Sequence, residues 1–235
     1  MGLEIERRRL SIFEELSGYE KSTVKPGGLL IKQTTVRGVR RMTTIDPKDH
    51  ANFDRLAGWW APNSSMALLY EYNYLRVQFI RDRLGPRLQN CSVLDVGCGA
   101  GMLAESLARL GSRQVTGVDS SLTSIEQARA HCPSDLKISY HHGELSSVSE
   151  SFDVITAMEV IEHVSSRTLF LEQVRQRLKP GGLLFMSTIE PTLCAFASTI
   201  LAAEYVLGVV PKGTHQLSKY VAQQTLAQEW GTAGI

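Results

Sequence analysis

The sequence predicts an α/β fold, with a central, mostly parallel sheet and helices packed on both of its faces. Two observations carry that expectation. Between Ser92 and Ile189, short apolar runs alternate with helical stretches of roughly 10 to 15 residues, the pattern of strands joined by crossover helices. The first of those runs leads into Asp95-Val-Gly97-Cys-Gly99-Ala-Gly101, a glycine-rich turn opening a helix.

Taken in order, residues 1–45 stand apart. They hold arginine clusters (Arg7 to Arg9; Arg37, Arg40, Arg41), a Pro26-Gly27-Gly28 break and little periodicity, and are read as a weakly ordered extension. A transit peptide would be basic and poor in acids, which Glu4, Glu6, Glu14, Glu15 and Glu20 contradict; a degenerate targeting role is the alternative. Residues 46–90 turn helical and are read as a cap belonging to the same domain, broken at Trp59-Trp60 and Pro62 to Ser65. Within the cap, Met66 to Leu84 is expected to be one helix, with Leu68, Leu69, Tyr72, Leu75, Phe79, Ile80 and Leu84 lining one face and Arg76 among them.

Residues 91–235 form the expected core. Ser92 to Gly97, Gln114 to Asp119, Leu136 to Tyr140, Phe152 to Met158 and Leu183 to Ile189 are the strand candidates. Helices are expected at Leu103 to Leu110, after Asp119 to Ala130, and at Leu169 to Leu178, the last stopped by Lys179-Pro-Gly-Gly182.

Composition narrows the function classes. With 43% hydrophobic and 21% charged residues the chain can build a core, and no apolar run approaches the ~20 residues of a membrane span. A net charge of +1 offers no electrostatic case for nucleic acid. Cys91, Cys98, Cys132 and Cys194 form no CxxC pair, so neither a zinc knuckle nor a disulfide framework is expected.

The glycine loop points to a small-molecule ligand. Its third glycine follows the second by two residues, and Met102 stands where a dinucleotide-binding turn has its own third glycine. That favours a ligand without a pyrophosphate. Asp119 ends the second strand, where a carboxylate can accept both hydroxyls of a ribose; the alternative is that Asp95 and Asp119 only cap helices.

The run VLDVGCGAG, Asp119 and the KPGG turn together resemble the class I S-adenosylmethionine-dependent methyltransferases over positions 92–189. Further stretches narrow the likeness: Thr43-Thr-Ile-Asp46, Phe53, Trp59-Trp60, Leu75-Arg76, Met158-Glu-Val-Ile-Glu-His163, Ala203-Glu-Tyr205 and Val210-Pro-Lys-Gly-Thr-His215. These are similar to the O-methyltransferases of ubiquinone biosynthesis, from about residue 43 to the end. The resemblance implies a Rossmann-like fold, S-adenosylmethionine as cofactor, and O-methylation of a polyprenylated dihydroxybenzene. Another small phenol, or a non-catalytic cofactor-binding role in a biosynthetic complex, are the rival readings.

By the same resemblance, Gly97 brackets the methionine part of the cofactor, Asp119 binds its ribose, Met158 offers its backbone and Arg76 pairs with its carboxylate. Glu159, Glu162 and His163 are associated in that family with magnesium; the bland alternative is an acid pair at a helix start with His163 as general base. Cys98 is expected to fill space, and His141 and His142 to lie at the rim. The apolar stretch Cys194 to Val210 suits either core packing or a lipid-facing acceptor pocket. The resemblance further implies a peripheral membrane surface and other ubiquinone-biosynthesis proteins as partners. The expected location is the matrix side of the mitochondrial inner membrane in a eukaryote, or the cytoplasm in a bacterium. The sequence departs from the family at Ala61, where an acid is usual, and at Asn73-Tyr74, where Asn-Pro is usual. It is also expected to stop before the antiparallel strands that close the family's sheet.

Overall fold

The computed structural model describes Thr44, Trp59, Trp60, residues 67–188 and Thr225, all within the compact unit Met42–Ile235. Expectations for residues 1–43 and for the stretch 194–215 lie outside the described residues.

In chain order the elements are α1 (Ala67–Leu84), a 3-10 turn (Gly85–Asn90), β1 (Ser92–Val96), α2 (Met102–Arg109), β2 (Gln114–Asp119) and α3 (Leu122–His131). There follow β3 (Ile138–His142), a 3-10 turn (Leu145–Ser147), β4 (Phe152–Met158), a 3-10 turn (Ile161–His163), α4 (Arg167–Arg177) and β5 (Leu178–Ser187). The strands lie in the order β3-β2-β1-β4-β5, and each neighbouring pair is parallel. No antiparallel closing pair is present among the described residues. Because successive strand residues point to opposite faces, Val93, Val115 and Val154 pack with Ile80, Leu84, Leu103, Leu107 and Ile125 on the α1–α3 side. Leu94, Val118 and Ile155 pack with Phe170, Leu171 and Val174 of α4 on the other. Serine hydroxyls start two of the crossover helices: Ser121 accepts from the Ser124 amide and Ser166 from the Leu169 amide.

Three local expectations need correction. The third strand begins at Ile138, two residues later than its apolar run suggested, because the Leu136 amide is turned back onto the Pro133 carbonyl at 3.1 Å. The fifth strand begins at Leu178, before the KPGG sequence. Leu178 pairs with Phe152 and Leu183 with Val154, so residues 179–182 bulge out of the ladder instead of preceding it. Lys179 Nζ uses that bulge to reach Asp153 Oδ2 at 2.9 Å.

The third correction concerns α1. Among its described side chains, Asn73, Ile80 and Leu84 are buried, while Tyr72, Leu75 and Phe79 are more than half exposed. The reason is polar: Asn73 Nδ2 donates to the Met102 carbonyl at 3.3 Å and to Ser106 Oγ at 3.0 Å, which turns its face of the helix onto α2.

Candidate active site

The strand order reverses between β1 and β4, and ligands of open α/β sheets bind at the carboxyl ends of the strands flanking such a point. Val96 pairs with Ala157, so the glycine loop leaving β1 and the Met158–Glu159 step leaving β4 emerge side by side there. The loop is tied down on its β2 side. The amides of Gly97 and Cys98 both donate to the Val118 carbonyl, at 2.8 and 3.2 Å.

Two glycines are required by geometry. Gly97 has φ +68°, and a Cβ there would stand 2.5 Å from Val160 Cγ2. Gly101, the residue preceding α2, has φ +87°, and a Cβ there would collide with the Tyr140 hydroxyl. Each combines a left-handed backbone with a neighbour that leaves no room for a side chain.

Asp119 is oriented by the backbone. Its Oδ2 accepts from the Gly99 amide and its Oδ1 from the Ser121 amide, both at 2.8 Å. These two bonds aim the carboxylate along the rim of the glycine loop. The helix-cap alternative is thus part of the same arrangement: Asp119 supports the turn into α3 and belongs to the loop's rim.

Beneath the loop, Asp95 is buried and its Oδ1 accepts from Thr156 Oγ1 at 2.7 Å. Its Oδ2 has no hydrogen-bond partner among the described residues. Burial pushes this carboxyl up to about 7, against the opposing pull of the Thr156 hydroxyl and the Arg76 guanidinium. Arg76 itself is half-buried and places Nη2 3.6 Å from Glu159 Oε1. It brings a fixed positive charge to the switch point, as binding a ligand carboxylate requires. Met158 ends β4 half-buried, paired with Ser187 across the ladder. Arg76, Gly97, Asp119 and Met158 are therefore all brought to the carboxyl edge of the sheet.

The metal expectation fares differently. Among the described residues no three His, Cys, Asp or Glu side chains are grouped so as to hold a metal ion. Within the trio Glu159, Glu162 and His163, Glu159 has other partners. Its backbone is left-handed, at φ +56°, and its Oε1 accepts from Ser187 Oγ at 2.8 Å while facing Arg76. Glu162 is buried in the 3-10 turn, and His163 ends that turn half-buried, its amide bonded to the Val160 carbonyl at 2.9 Å. As placed, the three side chains are not gathered into a common ligand set.

Cys98 is buried, and desolvation raises its thiol well above the usual range, which suits a space-filler. His141 and His142 are exposed, with His142 Nε2 3.0 Å from the Ser120 carbonyl. Several partners at this edge escape sequence reading. The Thr44 amide and hydroxyl donate to Glu144 Oε2 at 2.9 and 3.3 Å, and the Ser165 amide donates to the Thr44 carbonyl at 2.8 Å. Glu105 and His131 meet across 26 positions. No local signal marks such pairs.

A sequence profile of the methyltransferase domain family matches residues 69–235. Among solved structures, the magnesium protoporphyrin IX methyltransferase of Synechocystis PCC 6803, with bound S-adenosylhomocysteine, shares the fold at a TM-score of 0.57. The match covers 80% of this chain and 83% of that one at 17% identity. Fold and glycine loop together define a class I S-adenosylmethionine-dependent methyltransferase. The ubiquinone biosynthesis O-methyltransferase of Chelativorans sp. (strain BNC1) is 41% identical over 210 residues, 83% of each chain. That of Nitrobacter winogradskyi is 42% identical over 207 residues, 82% of this chain and 79% of its own. The chain belongs to the family of ubiquinone biosynthesis O-methyltransferases.

Proposed function

We propose that this chain moves a methyl group from S-adenosylmethionine to a phenolic hydroxyl of a polyprenylated dihydroxybenzene during ubiquinone biosynthesis. The single observation that carries the reading is about 40% identity, over more than four-fifths of the chain, to relatives bearing that name. When bound, the sulfonium cofactor supplies an activated methyl carbon, and transfer to oxygen breaks the S–C bond, forms an O–C bond and leaves the electron pair on sulfur as a thioether.

The residues at the sheet edge have matching tasks. Arg76 holds the cofactor's carboxylate, Asp119 accepts its ribose hydroxyls, and the Gly97 and Met158 backbones approach it closely. Alignment of acceptor oxygen and methyl carbon is the main contribution of such a site. His163, in the turn that follows β4, takes the phenol proton as the O–C bond forms. Because the structure does not gather Glu159, Glu162 and His163 as ligands, no step is assigned to magnesium.

A polyprenyl acceptor resides in lipid, so the reaction belongs at a membrane surface, beside other proteins of the same route. No helix among the described residues is long and apolar enough to cross a membrane, and the bacterial relatives support the cytoplasmic side as the location. Transfer of a labelled methyl group, compared between a polyprenyl catechol in vesicles and a short-chain catechol in solution, tests the proposal. Efficient transfer only to the lipid acceptor supports it; equal or better transfer to the short-chain compound overturns the substrate assignment, and transfer to neither overturns the catalytic one.

A further inference from the structure

A buried acid outside the methyl-transfer machinery leads to the glycine loop through one imidazole. Glu105, on α2, has a side chain only 3% exposed, with Oε1 2.8 Å from His131 Nδ1 and Oε2 3.4 Å from Arg109 Nη2. His131 is the last residue of α3. Its ring stacks on the Trp60 indole, with centroids 3.5 Å apart and planes within 6°. Trp60 Nε1 in turn donates to the Ala100 carbonyl at 3.1 Å, between the second and third glycines of the loop. The adjoining Trp59 covers the loop as well: a Cβ on Gly99 would lie 2.8 Å from its ring carbon Cη2.

We propose that His131 is a positioning residue for cofactor binding, holding Trp60 and with it the Trp59–Trp60 segment against the glycine loop. The proposal rests on the cofactor lying at that loop. The chemistry asks for an imidazole. One edge must hydrogen-bond a buried carboxyl, and both faces must be flat for a parallel stack. Glu105 therefore sets the plane of the ring, and the ring sets the position of the indole. The indole N–H pins a loop carbonyl whose neighbouring amides are tied to β2 and Asp119. A loop anchored from both sides is pre-organised and costs less ordering when ligand binds.

The test is titration of S-adenosylhomocysteine by calorimetry, together with tryptophan fluorescence, on the full chain. His131→Ala should weaken binding by about 3- to 10-fold, the scale of one aromatic stack. It should also change the emission of Trp60, assigned by difference against Trp60→Phe. His131→Phe, which keeps a flat ring but loses the bond to Glu105, should weaken binding less than His131→Ala. His131→Asn, which keeps a donor and loses the stack, should not. Trp60→Leu probes the contact from its other side and should match His131→Ala. Unchanged affinity in folded His131→Ala overturns the proposal, and so does equal weakening in the Phe and Asn variants. Asp119→Ala in the same titration separates the two readings: unchanged affinity there alone removes the ribose assignment and leaves the His131–Trp60 proposal standing.

Discussion

Arg76 Nη2 and Glu159 Oε1 face each other at 3.6 Å, joining α1 to the residue that leaves β4 in a left-handed conformation. A ligand carboxylate arriving at Arg76 would meet Glu159 as a competitor for the same guanidinium. Arg76→Met should therefore weaken S-adenosylmethionine binding about tenfold or more, the loss of a charge-assisted contact. Glu159→Gln should leave binding equal or tighter. Calorimetry showing both variants weakened alike would overturn the competition.

Asp119→Ala should cost roughly 1.5–3 kcal/mol of cofactor affinity, the range for hydrogen bonds to a charged group. Asp119→Asn should lose less, because its amide oxygen can still accept from Gly99 or Ser121. An unaltered dissociation constant in a folded Ala variant would remove Asp119 from the ribose site.

Gly101→Ala combines a left-handed backbone, about 1–2 kcal/mol for an L side chain, with a collision against Tyr140. It should lower the thermal midpoint and the cofactor affinity together. Adding Tyr140→Phe should restore only part of the stability, since ring carbon Cζ stands 2.8 Å from the added Cβ and the backbone cost remains. Complete recovery in the double variant would show that the hydroxyl was the whole obstacle.

Asp95 predicts a pH dependence of stability. Burial raises its carboxyl to about 7, above the ordinary value of about 4 for an unfolded aspartate. The folded chain thus retains a proton that the unfolded chain releases, and this contribution is present below about pH 4 and lost as pH rises toward 7. Asp95→Asn keeps an oxygen for the Thr156 hydroxyl and cannot ionise. Denaturant unfolding across that window should show a flatter profile for the variant; an identical slope would refute the assignment.

Asp153 predicts the opposite sign. Partial burial would raise its carboxyl, but hydrogen bonds from the Ser92 hydroxyl and amide and from Lys179 outweigh that and hold it well below the ordinary range. Its contribution is fully present above the unfolded value of about 4 and is lost progressively as pH falls from there through the lower folded value. The side chain is 34% exposed, so screening limits the effect. Asp153→Asn should cost about 1 kcal/mol at neutral pH, and the cost should shrink progressively as pH falls below about 4. A cost that does not change with pH through that acid range would point to packing instead of charge.

The alternation of apolar runs and helices, the glycine turn, and an acid ending the second strand were legible in the linear order of residues. Each rests on local physics: side-chain period, backbone freedom and strand length. Gly97, Asp119 and Met158 could be placed at one sheet edge because parallel crossover connections bring strand ends to the same side, whereas Arg76 was placed there by the family resemblance alone. The orientation of α1 was not legible. Its apolar spacing allowed a face containing Tyr72, Leu75 and Phe79, and two hydrogen bonds from Asn73 to α2 decided otherwise. Likewise, the ExxEH spacing does not show that Glu159 takes a left-handed backbone and faces Ser187 and Arg76. The contact of Glu105 with His131, and of His131 with Trp60, joins residues that sequence order keeps far apart. Such contacts arise when helices pack onto one face of a sheet, so tertiary structure alone decides which imidazole meets which acid and which indole.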